Sequence, residues 1–151
     1  MNYDESVKGA AIAEQAEALA RAAHRGQVDK AGRPYAEHPA RVAARVRGDG
    51  AREAAAWLHD VVEDTAVTLV ELAERFPAEV VAAVDALTKR AGEPAEVYYE
   101  RVAADPIARQ VKLADLADNS DPARLAQLET STRERLAAKY AAGRARLGAG
   151  V

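Results

Sequence analysis

Apolar positions recur at helical spacing along almost the whole chain, with glycine and proline clusters marking the breaks. Residues 5–24 are rich in Ala, Glu and Arg, and Ile12, Ala16, Leu19 and Ala23 form one stripe, so the spacing predicts an amphipathic helix. GQVDKAGRPYAEHP then breaks the helical pattern and predicts a structured loop. A short helix is expected over 37–47, ended near Gly48, and a third over 51–64. Residues 68–75 predict a fourth, stopped before Pro77. Val80, Val81, Val84 and Leu87 form the stripe of a fifth over 78–89. After the AGEP turn come a sixth over 95–104 and a seventh over 106–119, opened by Pro106. Asp121–Pro122 predicts a turn, and 132–147 the last helix, with 148–151 as a frayed tail. No segment alternates as a strand does, and there is no fixed-period repeat. The expectation is a single all-α domain over 1–151, a bundle of seven or eight helices.

Composition narrows the picture. The hydrophobic class is 49% but the aromatic class only 5%, and Ala alone is about a quarter of the chain. The core must be built from Ala, Val and Leu on closely packed helices, and a β-sandwich or barrel is disfavoured. Cysteine is absent, which excludes disulfides, thiol nucleophiles and iron–sulfur ligation and suits a reducing, cytoplasmic setting. No apolar run is long enough to span a bilayer, so no membrane association is expected. The net charge of -3 argues against a DNA or RNA polymer as partner, but leaves room for a small phosphorylated ligand in a local basic pocket.

The polar residues carry the candidate chemistry. In WLHDVVED, helical spacing places His59, Asp60, Glu63 and Asp64 in one sector, opposite Leu58, Val61 and Val62. A solvent-facing acidic face accounts for that sector as well as a site does. Along 106–119, Asp115 and Asn119 lie beside Lys112, while Asp118 falls on the apolar stripe, an odd place for a charge. His24 ends the first helix away from its stripe, where the macrodipole favours it. His38, in PYAEHP, reads as a structural loop histidine. His24, His59, Asp60 and Asp115 together make a mixed nitrogen and oxygen set on three helices, suited to Mn²⁺ or Fe²⁺. Zn²⁺ fits less well, because four protein ligands would close its tetrahedron. Glu63 and Asp64 could then orient a water or move its proton.

In order and spacing, AAHRGQVDKAGRPYAEHPARVA, AAWLHDVVEDT, ALTK and VKLADLADN resemble the hydrolase domain of RelA/SpoT-type alarmone enzymes, a branch of the HD-domain phosphohydrolases. The resemblance spans most of the chain. It implies an HD-domain helical bundle, Mn²⁺ held by His24, His59, Asp60 and Asp115, and water activation by Glu63 and Asp64. It further implies substrate contacts by Asn119, Lys89, Lys112 and Tyr140, and removal of 3′-pyrophosphate from the stringent-response alarmone (p)ppGpp. No synthetase or regulatory domain is expected beyond the last helix, and an Ala-rich helical surface is compatible with a homodimer. The chain departs from the family at Gln15 and Ala16, where a basic pair for the guanine base is expected, and at Leu116 and Asp118 in KLADLADN. Two other readings stay open: an HD-type hydrolase of another phosphorylated nucleotide, and a helical module that binds a nucleotide without turnover.

Overall fold

The computed structural model describes residues 3–148. Ten helical segments follow one another: α1 (Tyr3–Ala23), α2 (Glu37–Arg45), α3 (Gly50–Leu58), α4 (Val61–Asp64), α5 (Leu69–Arg75), α6 (Ala78–Leu87), α7 (Ala95–Ala104), α8 (Pro106–Asn119), α9 (Pro122–Leu125) and α10 (Thr130–Arg146). Eight of them have seven residues or more, so the all-α expectation holds, with two single-turn pieces added. Among the described residues there is no strand, only an isolated bridge between Val28 and Pro34. No described helix is long and apolar enough to cross a membrane. The tail expected to fray lies, beyond Gly148, outside the described residues.

The helix expected over 51–64 is broken in two at His59–Asp60. The His59 ring donates from Nδ1 to the Ala56 carbonyl at 2.6 Å. A continuous helix would use that carbonyl for the Asp60 N–H. The side chain thus competes with the backbone ladder, and the chain restarts with the Asp64 N–H donating to the Asp60 carbonyl. The turn expected at Asp121–Pro122 opens α9: Pro122 begins it and Asp121 accepts from the Ala123 N–H. Thr68 and Glu71 start α5 with a reciprocal capping box.

α3 is the hub, packed against α1, α2, α6 and α8. Its Ala54, Ala55, Ala56 and Leu58 are fully buried, and the small side chains let neighbouring helices approach from several sides. Trp57 closes one side under the Arg21 guanidinium, 5.0 Å from its ring. The remaining core is mainly aliphatic, with Val42, Leu72, Val80, Val84, Val102 and Val111 fully buried, and Phe76 and Tyr98 are its buried aromatics.

The α1–α3 contact is tightest at two glycines. A Cβ on Gly50 would lie 2.3 Å from the Gly9 backbone, whereas one on Gly9 would meet Gly50 at an ordinary 3.4 Å. Backbone cannot swing aside as a side chain can. Gly50→Ala is therefore expected to destabilise by at least about 1–3 kcal/mol, lowering Tm by roughly 5 °C in a thermal melt. Gly9→Ala is expected to be neutral or slightly stabilising, because alanine favours a helix interior.

Candidate metal centre

Four side chains from three places meet at the base of one cavity. His38 comes from the first turn of α2, His59 and Asp60 from the break between α3 and α4, and Asp115 from the middle of α8. His38, His59 and Asp115 are buried, and their ligand atoms lie within 4.8 Å of one another. His38 Nε2 is 2.8 Å from Asp115 Oδ1 and 3.8 Å from Asp60 Oδ2. His59 Nε2 is 3.1 Å from Asp60 Oδ2 and 3.3 Å from Asp115 Oδ1.

The hydrogen bonds of the rings say what belongs between them. His59 spends its Nδ1 proton on the Ala56 carbonyl, and its buried Nε2 has no hydrogen-bond partner. His38 donates from Nδ1 to Asp118 Oδ2 at 2.7 Å. In neutral rings both Nε2 atoms are then bare lone pairs, aimed at carboxylate oxygens that are also acceptors. Such an arrangement is stable only around positive charge. Ligand atoms about 2.1 Å from one ion stand about 3 Å apart at right angles, close to most of the separations found here. The donor set fits a divalent cation.

Protonation chemistry points the same way. Burial lowers the pKa of His59, but the Asp60 and Asp115 carboxylates outweigh it and raise it well above 6.5. His38 is raised likewise, by Asp115 and Asp118 against burial. Burial works to raise Asp60 and Asp115, yet both are held below the ordinary carboxylate value, Asp60 by His59 and Asp115 first by Lys112.

A second layer of contacts orients these four residues. Lys112 Nζ bonds Asp115 Oδ2 at 2.9 Å, and Asn119 Nδ2 donates to Asp115 Oδ1 at 3.2 Å. The Tyr35 hydroxyl donates to Asp60 Oδ2 at 2.5 Å, with Asp64 Oδ2 3.4 Å away. Asp118 lies among His38, Arg41 and Arg124, accepting from Arg41 Nε at 2.8 Å and Arg124 Nη1 at 2.5 Å. Glu63 Oε1 accepts from the Lys89 backbone N–H at 2.9 Å. The Asp64 carboxyl is pushed up by partial burial and by the charges of Asp60 and Glu63.

The cavity above the cluster has a volume of about 620 Å³. Its lining includes Glu63, Asp64, Lys89, Lys112, Asn119 and Tyr140, the residues expected to handle water and substrate. Two sequence expectations are corrected. His24 does not join the cluster: it is buried, donates from Nδ1 to Gln27 Oε1 at 2.8 Å and packs 4.9 Å from the Tyr35 ring. Its expected place is taken by His38, read from sequence as a structural loop residue. Gln15 and Ala16 do not line the cavity either. Ala16 is fully buried in the core, because α1 turns that face toward α3; the outer wall comes instead from the 28–33 loop and the Arg124–Leu128 segment. Sequence reading also missed Tyr35. For Asp118 the signal was present, since a carboxylate on an apolar helical stripe needs buried partners.

A buried His/Asp cluster, held at the meeting of three helical segments in an all-α core, defines a helical divalent-metal-binding domain. The HD domain family model matches residues 16–112, and the chain belongs to that family. A guanosine-3′,5′-bis(diphosphate) 3′-pyrophosphohydrolase of Haemophilus influenzae is 37% identical over 131 residues, 79% of this chain and 19% of the relative. A probable GTP pyrophosphokinase of Mycobacterium leprae is 34% identical over 135 residues, 82% of this chain and 17% of the relative. The chain thus spans about a fifth of the length of these curated relatives. A solved structure described as a metazoan ortholog of SpoT that hydrolyzes ppGpp superimposes with a TM-score of 0.72 at 25% identity, covering 88% of this chain and 85% of that one.

Proposed function

We propose that the chain is a manganese-dependent 3′-pyrophosphohydrolase of guanosine 3′,5′-bis(diphosphate) and its pentaphosphate counterpart. The observation that carries this reading is the buried cluster in which the unpartnered His59 Nε2 and the His38 Nε2 face the Asp60 and Asp115 carboxylates at the base of a lysine-lined cavity of nucleotide size. His38, His59, Asp60 and Asp115 would hold the ion, which supplies Lewis-acid polarisation of a phosphoryl oxygen and a lowered pKa for water. Mn²⁺ suits this mixed set with positions to spare; Fe²⁺ is the next fit, and Zn²⁺ a poorer one, since four protein ligands already complete its usual tetrahedron.

The chain's other residues have separate tasks. Asp64, with a raised pKa and exposed to the cavity, receives the proton of the attacking water. Glu63 stands beside it, fixed by the Lys89 N–H. Water adds to the phosphorus attached to the 3′ oxygen and that P–O bond breaks; the 3′ oxygen takes a proton from solvent to become a hydroxyl, Asp64 returns the proton it accepted to solvent, and pyrophosphate leaves. Lys89 and Lys112 offer charge to the departing phosphates, and Asn119 and Tyr140 contact the nucleoside. The relatives' names and the described activity of the structural neighbour support this substrate. Such a soluble nucleotide, and a chain without cysteine, suit the cytoplasm.

The test is pyrophosphate release from guanosine tetraphosphate with Mn²⁺. Release that stops with chelator and returns with Mn²⁺ is the expected result. Hydrolysis of other phosphorylated nucleotides but not this one would replace the substrate, and inertness toward all of them would overturn the reading. Metal should also stabilise the fold: at 100 times its Kd, Mn²⁺ is expected to add about 2.7 kcal/mol, seen as a chelator-reversible rise in Tm.

A further inference from the structure

Four ammonium groups line the cavity: Lys30, Lys89, Lys112 and Lys139. Only Lys112 is paired, to Asp115 at 2.9 Å. Among the described residues no carboxylate forms an ion pair with Lys30, Lys89 or Lys139; the Lys89 ammonium lies over the Tyr98 ring, 5.3 Å from its centroid. Ammonium groups that share a cavity without ion-pair partners of their own repel one another, and that repulsion is relieved when a polyanion enters between them.

The four divide by position. Lys112 bonds a residue of the metal cluster, and Lys89 adjoins Glu63 through its backbone. Both therefore stand on the side where bond cleavage is placed. Lys139 comes from α10 and Lys30 from the loop after α1, and neither bonds to any member of the cluster. The Lys139 ammonium is partly buried, and it feels Lys89, Lys112 and Lys30 strongly enough that its pKa is lowered, first by burial and then by those charges. The cavity thus holds two ammonium groups, Lys30 and Lys139, in addition to the two beside the metal cluster and Glu63.

We propose that Lys139, together with Lys30, forms a second phosphate subsite that holds the uncleaved phosphate groups of the substrate, so that the enzyme selects nucleotides phosphorylated at two positions over those phosphorylated at one. This rests on the proposed phosphohydrolase reading and adds a residue and a selectivity to it. A charge-assisted contact to phosphate is stronger than a neutral hydrogen bond and tolerates exposure because the anion brings several acceptors. The remote group then contributes binding free energy that can be used to align the reacting one.

The experiment compares guanosine 3′,5′-bis(diphosphate) with guanosine 3′-diphosphate in the wild type, Lys139→Met and Lys139→Arg, with Mn²⁺ present. The expected wild-type preference in kcat/KM for the doubly phosphorylated substrate falls by about tenfold or more in Lys139→Met, chiefly through KM, and is largely restored in Lys139→Arg. A second arm needs no turnover: calorimetric titration with guanosine 5′-diphosphate, which carries only the uncleaved group, is expected to show binding weakened about tenfold in Lys139→Met and a shallower salt dependence. An unchanged preference, or an equal loss on both substrates, overturns the subsite while leaving the functional reading intact. If the wild type hydrolyses neither substrate, the functional reading fails, and the titration alone decides the subsite: unaltered affinity in Lys139→Met rejects it.

Discussion

His38→Ala is expected to lose the divalent ion and at least about 10³-fold in pyrophosphate release, whereas His24→Ala keeps metal and retains activity within about tenfold per folded molecule. His38 Nε2 stands 2.8 Å from Asp115 and 3.8 Å from Asp60, with its far nitrogen pinned by Asp118. Removing it deletes a ligand and leaves two carboxylates facing each other with less charge to hold them. Loss of an orienting partner alone costs about 10–100-fold in metal affinity or activity, so loss of a ligand costs more. His24 acts at one remove: it bonds Gln27, which donates to the Asp64 carbonyl at 3.0 Å. Its loss leaves a cavity and a looser α4, expected to appear as about 2–4 kcal/mol of stability. Metal content after gel filtration, read beside the assay, separates the two variants. Metal retained in His38→Ala and lost in His24→Ala would reverse the assignment.

Asp118→Ala is expected to be the most destabilising single change outside the apolar core, by about 3–5 kcal/mol. The carboxylate is 1% exposed and serves His38, Arg41 and Arg124 at once. Without it the guanidinium groups of Arg41 and Arg124 lose a shared counter-charge and the His38 ring loses the acceptor that sets its tautomer, so metal affinity should fall as well, by about 10–100-fold. The pH dependence has a definite sign. Burial works to raise the Asp118 pKa, but His38 and Arg41 lower it from 3.8 to about 2. A depressed folded-state pKa means that the ionised carboxylate stabilises the fold above its unfolded value and stops doing so as pH falls through about 2. The stability gap between wild type and Asp118→Asn, measured by denaturant melts, should be full at neutral pH and close between about pH 4 and 2. A gap independent of pH over that window would show that the charge of Asp118 is not what matters.

Most helices were legible because their signals are local. Pro106 and Asp105 start α8 where expected, and the stripe Val80, Val84 and Leu87 is buried on α6. The break at His59–Asp60 was not legible, since the apolar pattern runs straight through it and only the ring's bond to Ala56 interrupts the ladder. For the site, HDxxED and KLAD drew attention to His59, Asp60, Glu63, Asp64 and Asp115. The choice between His24 and His38 was misread: both lie near a helix end beside a glycine- and proline-containing loop, and neither shows in one dimension which way its ring points.

Helical periodicity depends on residues three and four apart, so the amino-acid order was enough to establish an all-α chain and to mark its acidic and basic sectors. Which imidazole meets Asp115 is a question about residues 77 positions apart. It is answered only when α2 packs against both α3 and α8, bringing His38 to the His59–Asp60 corner and carrying Ala16 into the core. Long-range packing depends on the combined fit of many side chains, and no local spacing rule encodes that fit.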